Sequence, residues 1–255
     1  ESDRVAAFGP SERLVLETVA NQIAISLENA RLYDRQKEMA TAFARFVPTE
    51  FLELLGRESL LHVGLGDSVS RELTVLFSDI RGFTTLSEHL APAQVVTLLN
   101  RYLGAMTDII MAHQGTIDEF IGDAILAVFG APQRRDDDAD RAVHCALAMQ
   151  AAMAGINAQN RAEGLPEIET GIALNTGDVI AGNIGSERRS KYGFVGHPMN
   201  VTSRIEDVTA GGEILAADST LRSLAGTFRI GTSQEISVKG INQSIVVHQI
   251  LGAST

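Results

Sequence analysis

The chain has 255 residues, 45% hydrophobic and 21% charged, and a formal net charge of −11 from 21 basic and 32 acidic side chains. Such a balance excludes general binding to nucleic acid or to an anionic membrane, both of which need a basic field. It still admits a nucleotide, because a metal and a few local cations reverse the potential inside one cleft.

The length allows one substantial core with extra helix outside it. Cys145 is the only cysteine, so there is no disulfide framework and no cysteine-rich metal site, and its helical surroundings read as those of a buried structural thiol. Neither a signal peptide nor an uninterrupted apolar run long enough for a bilayer stands out, and the chain reads as cytoplasmic. It opens at Glu1 inside a pattern already running, as expected of a fragment of a longer protein.

Residues 11–46 carry one long helical signal. Leu16, Val19, Ile23, Leu27, Ala30 and Tyr33 or Asp34 fall near the three–four spacing of a coiled-coil seam, interrupted by the small Ala30 and by Lys37. An inter-subunit or signalling helix is favoured over one packed on its own domain. Pro48 and the run from Gly56 to Ser70 break the helix and make a connector, 48–70, before the next domain.

From Arg71 the elements alternate. A strand covers about 72–78, a helix 92–113 bounded by Gly115, and a hairpin 116–129 turning at Gly122-Asp123. A helix follows over 137–160, then a strand at 168–174, a turn at Asn175-Thr176-Gly177 and a strand at 178–183. A helix near 198–209, a short strand at 213–216, a small helix at 218–224 and strands at 227–238 and 243–250 complete the pattern. Helices interleaved with a hairpin-bearing mixed sheet predict an α+β fold.

Two carboxylates carry the chemistry. Asp79 ends the apolar run Leu73–Phe77 and precedes a glycine turn, and Asp123 sits in the hairpin pair Gly122-Asp123. If strand and hairpin are neighbours, both carboxylates reach one rim, where they suit hard divalent cations such as Mg2+ or Mn2+. Two such ions about 3.5–4 Å apart would activate an attacking hydroxyl and hold a di- or triphosphate. The amides from Ile80 to Thr84 offer a phosphate nest where the chain turns into a helix.

A second cluster is Gly196-His197-Pro198-Met199-Asn200-Val201-Thr202-Ser203-Arg204-Ile205-Glu206. Asn200 and Arg204 are four apart and share a helix face. They suit orienting a ribose and neutralising charge on a phosphoryl group, although alone they make a common polar helix face. Lys239 is a candidate for the terminal phosphate, and Arg134 and Arg135 are weaker ones.

These segments resemble the catalytic domain of the class III nucleotidyl cyclases, the adenylyl and guanylyl cyclases, over about 71–255. Leu76-Phe77-Ser78-Asp79-Ile80-Arg81-Gly82-Phe83-Thr84, Phe120-Ile121-Gly122-Asp123-Ala124 and Gly196 through Asn200 to Arg204 carry the likeness. The resemblance implies a ferredoxin-like mixed sheet and a head-to-tail homodimer with catalytic sites at the shared interface. One subunit would give the metal site (Asp79, Ile80 and Asp123) and the other Asn200 and Arg204. Phe83, Thr84 and Lys239 would contact the substrate. The implied reaction is attack of a 3′-hydroxyl on the α-phosphorus with release of pyrophosphate, using two divalent metal ions.

Leu14 to Tyr33 likewise resembles the last helix of a GAF sensor domain, and Arg45-Phe46-Val47-Pro48 the coupling region that follows one. This assigns 1–47 to the end of a sensor and a signalling helix, whose small changes would gate activity.

Family base recognition rests on two positions. Adenylyl cyclases usually carry Lys at the place of Glu119 and Asp or Thr at the place of Gly193. Guanine presents N1–H and a 2-amino group, which a carboxylate accepts, whereas adenine N1 is itself an acceptor that Glu119 would repel. Adenine's 6-amino group also needs an acceptor near 193, which glycine lacks. An unpaired buried group costs about 1–3 kcal/mol, so the expected substrate is GTP, with ATP as the alternative. His197 stands where the family usually has Asp, which leaves a silent, cyclase-like nucleotide-binding or dimerisation module as a third reading.

Overall fold

The computed structural model describes residues 9–44, 64–237 and 244–254. It divides into two compact units, Glu1–Thr49 and Glu50–Thr255. In the first, helix α1 spans Pro10–Ala44, close to the predicted 11–46. Leu14, Leu16, Val19, Ile23, Leu27, Leu32 and Tyr33 are all exposed along it among the described residues.

The second unit is built on an eight-stranded mixed sheet, the α+β arrangement expected. Its strands are β1 (Ser68–Ile80), β2 (Thr116–Ile121), β3 (Ala124–Phe129), β4 (Thr170–Ser186), β5 (Arg189–Val195), β6 (Ile214–Ala217), β7 (Phe228–Ile236) and β8 (Ile245–Ala253). The order is β2-β3-β1-β4-β6-β8-β7, with β5 pairing only to β4. All pairings are antiparallel except β4 with β6. The helices are α2 (Phe83–Glu88), α3 (Pro92–Ala112), α4 (Asp138–Ala162), α5 (His197–Glu206) and α6 (Asp218–Arg222).

The period of two along β1 explains the layering. Leu76 and Ile80 face a core with Leu98, Tyr102, Met106 and Ile110 of α3 and Val143, Cys145 and Met149 of α4. Leu73 and Val75 face the other side, with Val128, Val179, Phe194 and Met199. Helices α3 and α4 therefore cover one face, while β5 and α5 cover the other. By length and mean hydropathy α3 is also long enough and apolar enough to cross a membrane, which the sequence reading did not single out. Here its Leu98, Tyr102, Met106 and Ile110 are fully buried.

Three expectations are corrected. Asn175-Thr176-Gly177 is not a turn, because β4 runs unbroken through it, pairing Asn175 with Val75, Thr176 with Thr74 and Gly177 with Leu73. The asparagine and glycine serve tertiary contacts: Asn175 donates to the Pro198 carbonyl (3.3 Å) and accepts from Ser219 (2.8 Å). A Cβ on Gly177 would lie 2.9 Å from Pro198 Cγ, so the glycine admits α5 against the strand. Strand β5 and the short helix α2 are the other two differences. Most other element ends fall within two residues of expectation, but β1 begins at Ser68 inside the expected connector. Predicted residues 238 and 243 and the connector up to 63 lie outside the described residues.

Candidate active site

The register of β1 decides where the carboxylates meet. Ser78 pairs with Ile125 of β3, and Ile121 pairs with Ala124 across the two-residue loop Gly122-Asp123. Gly122 takes φ 67°, the conformation that a two-residue hairpin with glycine first requires. Asp79 and Asp123 consequently stand side by side at the end of the sheet.

The Asp123 carboxyl lies within hydrogen-bonding reach of Asp79 and of the Ile80 amide, and its pKa is pushed up to about 7. Burial is the first cause, followed by the hydrogen bond and repulsion from Asp79. Asp79 Oδ1 accepts from the Ile80 amide at 2.8 Å. Beneath the pair, the fully buried Tyr102 and Ser78 hydroxyls are bonded at 2.8 Å, which anchors the strand end to α3.

This arrangement fits a hard cation. A divalent charge beside Asp123 would offset the burial and the Asp79 repulsion that raise its carboxyl. Among the described residues no three His, Cys, Asp or Glu side chains cluster to cage a metal. Two carboxylates supplemented by backbone and phosphate oxygens is the Mg2+ pattern rather than that of an all-protein cage.

Arg81 was not singled out in the sequence. Its guanidinium stands 3.8 Å from Asp79 Oδ2 and forms a close ion pair with Glu206 at the C-terminal end of α5. It also donates to the Glu206 and Thr209 carbonyl oxygens, each at 3.4 Å. A Cβ on Gly171, the residue opposite Asp79, would lie 3.3 Å from Arg81 Cζ and within bonding distance of Thr209 Oγ1. Glycine is what lets the arginine pass. An arginine and a glutamate inside motifs otherwise read for metal and ribose were the available signal.

Asn200 and Arg204 are both exposed on α5, one turn apart. Arg204 pairs with Asp207 at 3.0 Å, and among the described residues no hydrogen bond or ion pair joins either residue to Asp79 or Asp123. The structure thus brings the aspartates together and leaves the α5 pair facing outward.

The two positions expected to read the base, Glu119 and Gly193, do converge on Lys191. A bulge between Ile117 and Glu119 re-aims both acidic side chains of β2. Glu119 pairs with Lys191 of β5 at 2.5 Å. A Cβ on the buried Gly193 would lie 3.4 Å from both Asp118 Oδ1 and Lys191 Cε. The Asp118 carboxyl is raised to about 6, chiefly by burial and partly offset by Lys191. Asp118 and Lys191 were missed; their closeness to Glu119 and Gly193 was the one signal.

Of the remaining candidates, Phe83 packs against the core below α2, and Thr84 is exposed. The proposed nest is smaller than expected, since the Ile80 and Arg81 amides are already bonded to Asp79 and to the Glu169 carbonyl. Arg134 pairs with Glu72 at 2.7 Å and Arg135 with Gln114. His197 is exposed at the start of α5. Lys239 lies outside the described residues. Cys145 is fully buried, and burial pushes its thiol up to about 12.

Comparison with known proteins places this geometry. The family model of the adenylate and guanylate cyclase catalytic domain matches residues 67–252. The solved guanylyl cyclase Cya2 is 45% identical with a TM-score of 0.71, over 73% of this chain and 95% of that one. The adenylyl cyclase CyaB from P. aeruginosa is 35% identical with a TM-score of 0.69, over 73% and 97%. An adenylate cyclase of Anabaena cylindrica is 32% identical over 92% of this chain, which spans 47% of that relative's length. Solved guanylyl and adenylyl cyclases thus share this fold. The chain belongs to the class III family of adenylate and guanylate cyclase catalytic domains.

Proposed function

We propose that the chain converts GTP to 3′,5′-cyclic GMP and pyrophosphate at two sites shared by a homodimer. The observation that carries the cyclase chemistry is the Asp79/Asp123 pair at the sheet rim. The one that carries the base is Glu119 beside Lys191. A carboxylate next to an ammonium matches guanine, whose N1–H and 2-amino groups donate and whose O6 accepts.

Asp79, Asp123 and the Ile80 carbonyl would hold divalent ions, which supply charge neutralisation of the triphosphate and a lowered pKa for the 3′-hydroxyl. Asn200 of the opposing subunit orients the ribose. Arg204, released from Asp207, neutralises the charge that grows on the α-phosphate. Thr84 and the free amides at the start of α2 contact the phosphates, with Phe83 holding that turn on the core and Lys239 reaching the same groups. The 3′-oxygen bonds to the α-phosphorus as the bond to pyrophosphate breaks, and the hydroxyl proton leaves to solvent. The homodimer is supported by the split machinery: among the described residues no hydrogen bond or ion pair joins the exposed α5 pair to the aspartates of its own chain.

ATP remains the second reading because Lys191 can also donate to adenine N1, and relatives such as that of Anabaena cylindrica are adenylate cyclases. Residues 1–47 are assigned to the end of a sensor and a signalling helix and 48–70 to a connector, with α1 supported by the exposure of its apolar seam among the described residues. A cytoplasmic location accords with the acidic surface. The test is direct: incubate the protein with GTP or ATP and Mn2+, then Mg2+, and quantify both cyclic nucleotides. Predominant cGMP is expected. Predominant cAMP would refute the base argument, and neither product would favour a silent module.

A further inference from the structure

Arg81 touches two parts of the chain that, in the reading above, serve different active sites. On one side its guanidinium lies 3.8 Å from the Asp79 carboxylate. On the other it closes on the Glu206 carboxylate and donates to the Glu206 and Thr209 carbonyl oxygens at the end of α5. The same helix carries Asn200 and Arg204.

The contact is built into the fold. Glu206 is 3% exposed at its side chain and Arg81 25%, so neither charge is solvated enough to be indifferent to its partner. The guanidinium fork also caps the helix terminus, where carbonyls lack intrahelical partners and the macrodipole favours a cation. Gly171 leaves the passage through which the side chain runs. Lysine has neither the planar fork nor the reach to meet a carboxylate and two carbonyls together.

We propose that Arg81 is a positioning residue for two active sites at once: through Asp79 it sets the metal half of one, and through Glu206 it sets the α5 half of the other. This rests on the reading that each site takes its aspartates from one subunit and Asn200/Arg204 from its partner. Under it, Arg81 is the direct ionic link inside one subunit between the two reaction centres of the dimer.

Mixed dimers test this. One subunit carries Asp123→Ala and its partner carries Asn200→Ala, each with its own affinity tag, and the heterodimer is purified on both. One site then holds both lesions and the other holds none, so activity near half that of the wild type is expected, while both parent homodimers stay silent. Arg81→Lys is next added to the Asp123→Ala subunit, whose own aspartates already do nothing. The surviving site should lose about tenfold in kcat, the size of effect that sub-ångström misplacement of reacting groups produces, with half-saturating Mn2+ unchanged. Glu206→Gln in that same subunit should reproduce the loss. Placed instead in the Asn200→Ala subunit, Arg81→Lys should raise half-saturating Mn2+ severalfold.

A heterodimer that keeps its parent rate with Arg81→Lys and with Glu206→Gln in the Asp123→Ala subunit would overturn the inference, since Arg81 would then serve only its own Asp79. Absence of any activity from the parent heterodimer would remove the shared-site reading, and this inference with it. Thermal melting of each heterodimer checks folding. Glu206→Gln, which keeps the shape and loses only the charge, remains readable if Arg81→Lys fails to fold.

Discussion

The aspartate rim and the outer face of α5 differ in how much of their chemistry is already in place. Asp79 and Asp123 are held by ladder pairing, a two-residue hairpin and the Ser78–Tyr102 bond below them. Arg204 is half-exposed and paired with its own neighbour Asp207, and Asn200 projects outward. Glu119 is paired with Lys191 of the same chain. The rim is preorganised by its own subunit, whereas Arg204 is paired with Asp207 and Asn200 is exposed. On the proposed reading, a site divided in this way depends on how two subunits meet.

The contrast is most sharply broken at Asp123. Asp123→Ala should lower kcat by about 1000-fold or more, the scale of lost transition-state charge stabilisation. The melting temperature should hold or rise, because a crowded carboxylate has been removed. A melting point falling in parallel with activity would show a structural role instead.

Next in size is base choice. Glu119→Lys with Gly193→Asp should move the GTP-to-ATP ratio of kcat/KM by about 100-fold towards ATP, since each matched donor or acceptor contributes about 1–3 kcal/mol. The check is cyclic nucleotide formation from each substrate with kcat/KM compared, and an unchanged ratio would place base reading elsewhere.

The pH response sharpens the difference further. A cation must displace the proton on Asp123, whose carboxyl is pushed up to about 7 by burial and by its neighbour Asp79. Half-saturating Mn2+ should rise about tenfold per pH unit below that value and level off above it. Asn200 carries no ionisable group, so KM for nucleotide at saturating metal should change less. A metal titration that is flat from pH 8 to 6 would contradict the paired-carboxylate geometry.

The smallest effects are on stability. The Asp118 carboxyl is raised from 3.8 to about 6 by burial. Between those values the folded form holds a proton that the unfolded chain has lost, so stability falls as pH rises through that window and stays lower above it. Asp118→Asn should therefore stabilise the fold by about 1–2 kcal/mol at pH 7 and flatten the profile between 4 and 6, as read by denaturant melts. Tyr102→Phe should cost about 1 kcal/mol for its buried hydrogen bond, without the large kcat effect of Asp123→Ala.

Much was legible in the residues because the relevant physics is local. The apolar run before Asp79, the Gly122-Asp123 hairpin and the four-residue spacing of Asn200 and Arg204 each follow from backbone geometry within one element. Those signals led to the α+β sheet, to the aspartates and to the resemblance that the family comparison bears out. The turn expected at Asn175-Thr176-Gly177 shows where local reasoning fails. Those residue types suit turns, but here they serve the approach of Pro198 and the bond to Ser219, partners 21 or more positions away.

Only tertiary structure placed Arg81 against Glu206 and Lys191 against Glu119. Those pairs lie 125 and 72 positions apart in the chain, and no periodicity connects them. The sequence by itself determined which residues end each strand and share each helix face, because φ/ψ preference and side-chain alternation act over a few residues. The register of β1 between β3 and β4 decided which of those ends meet, through the burial of both sheet faces, a property of the whole sheet and of no single segment.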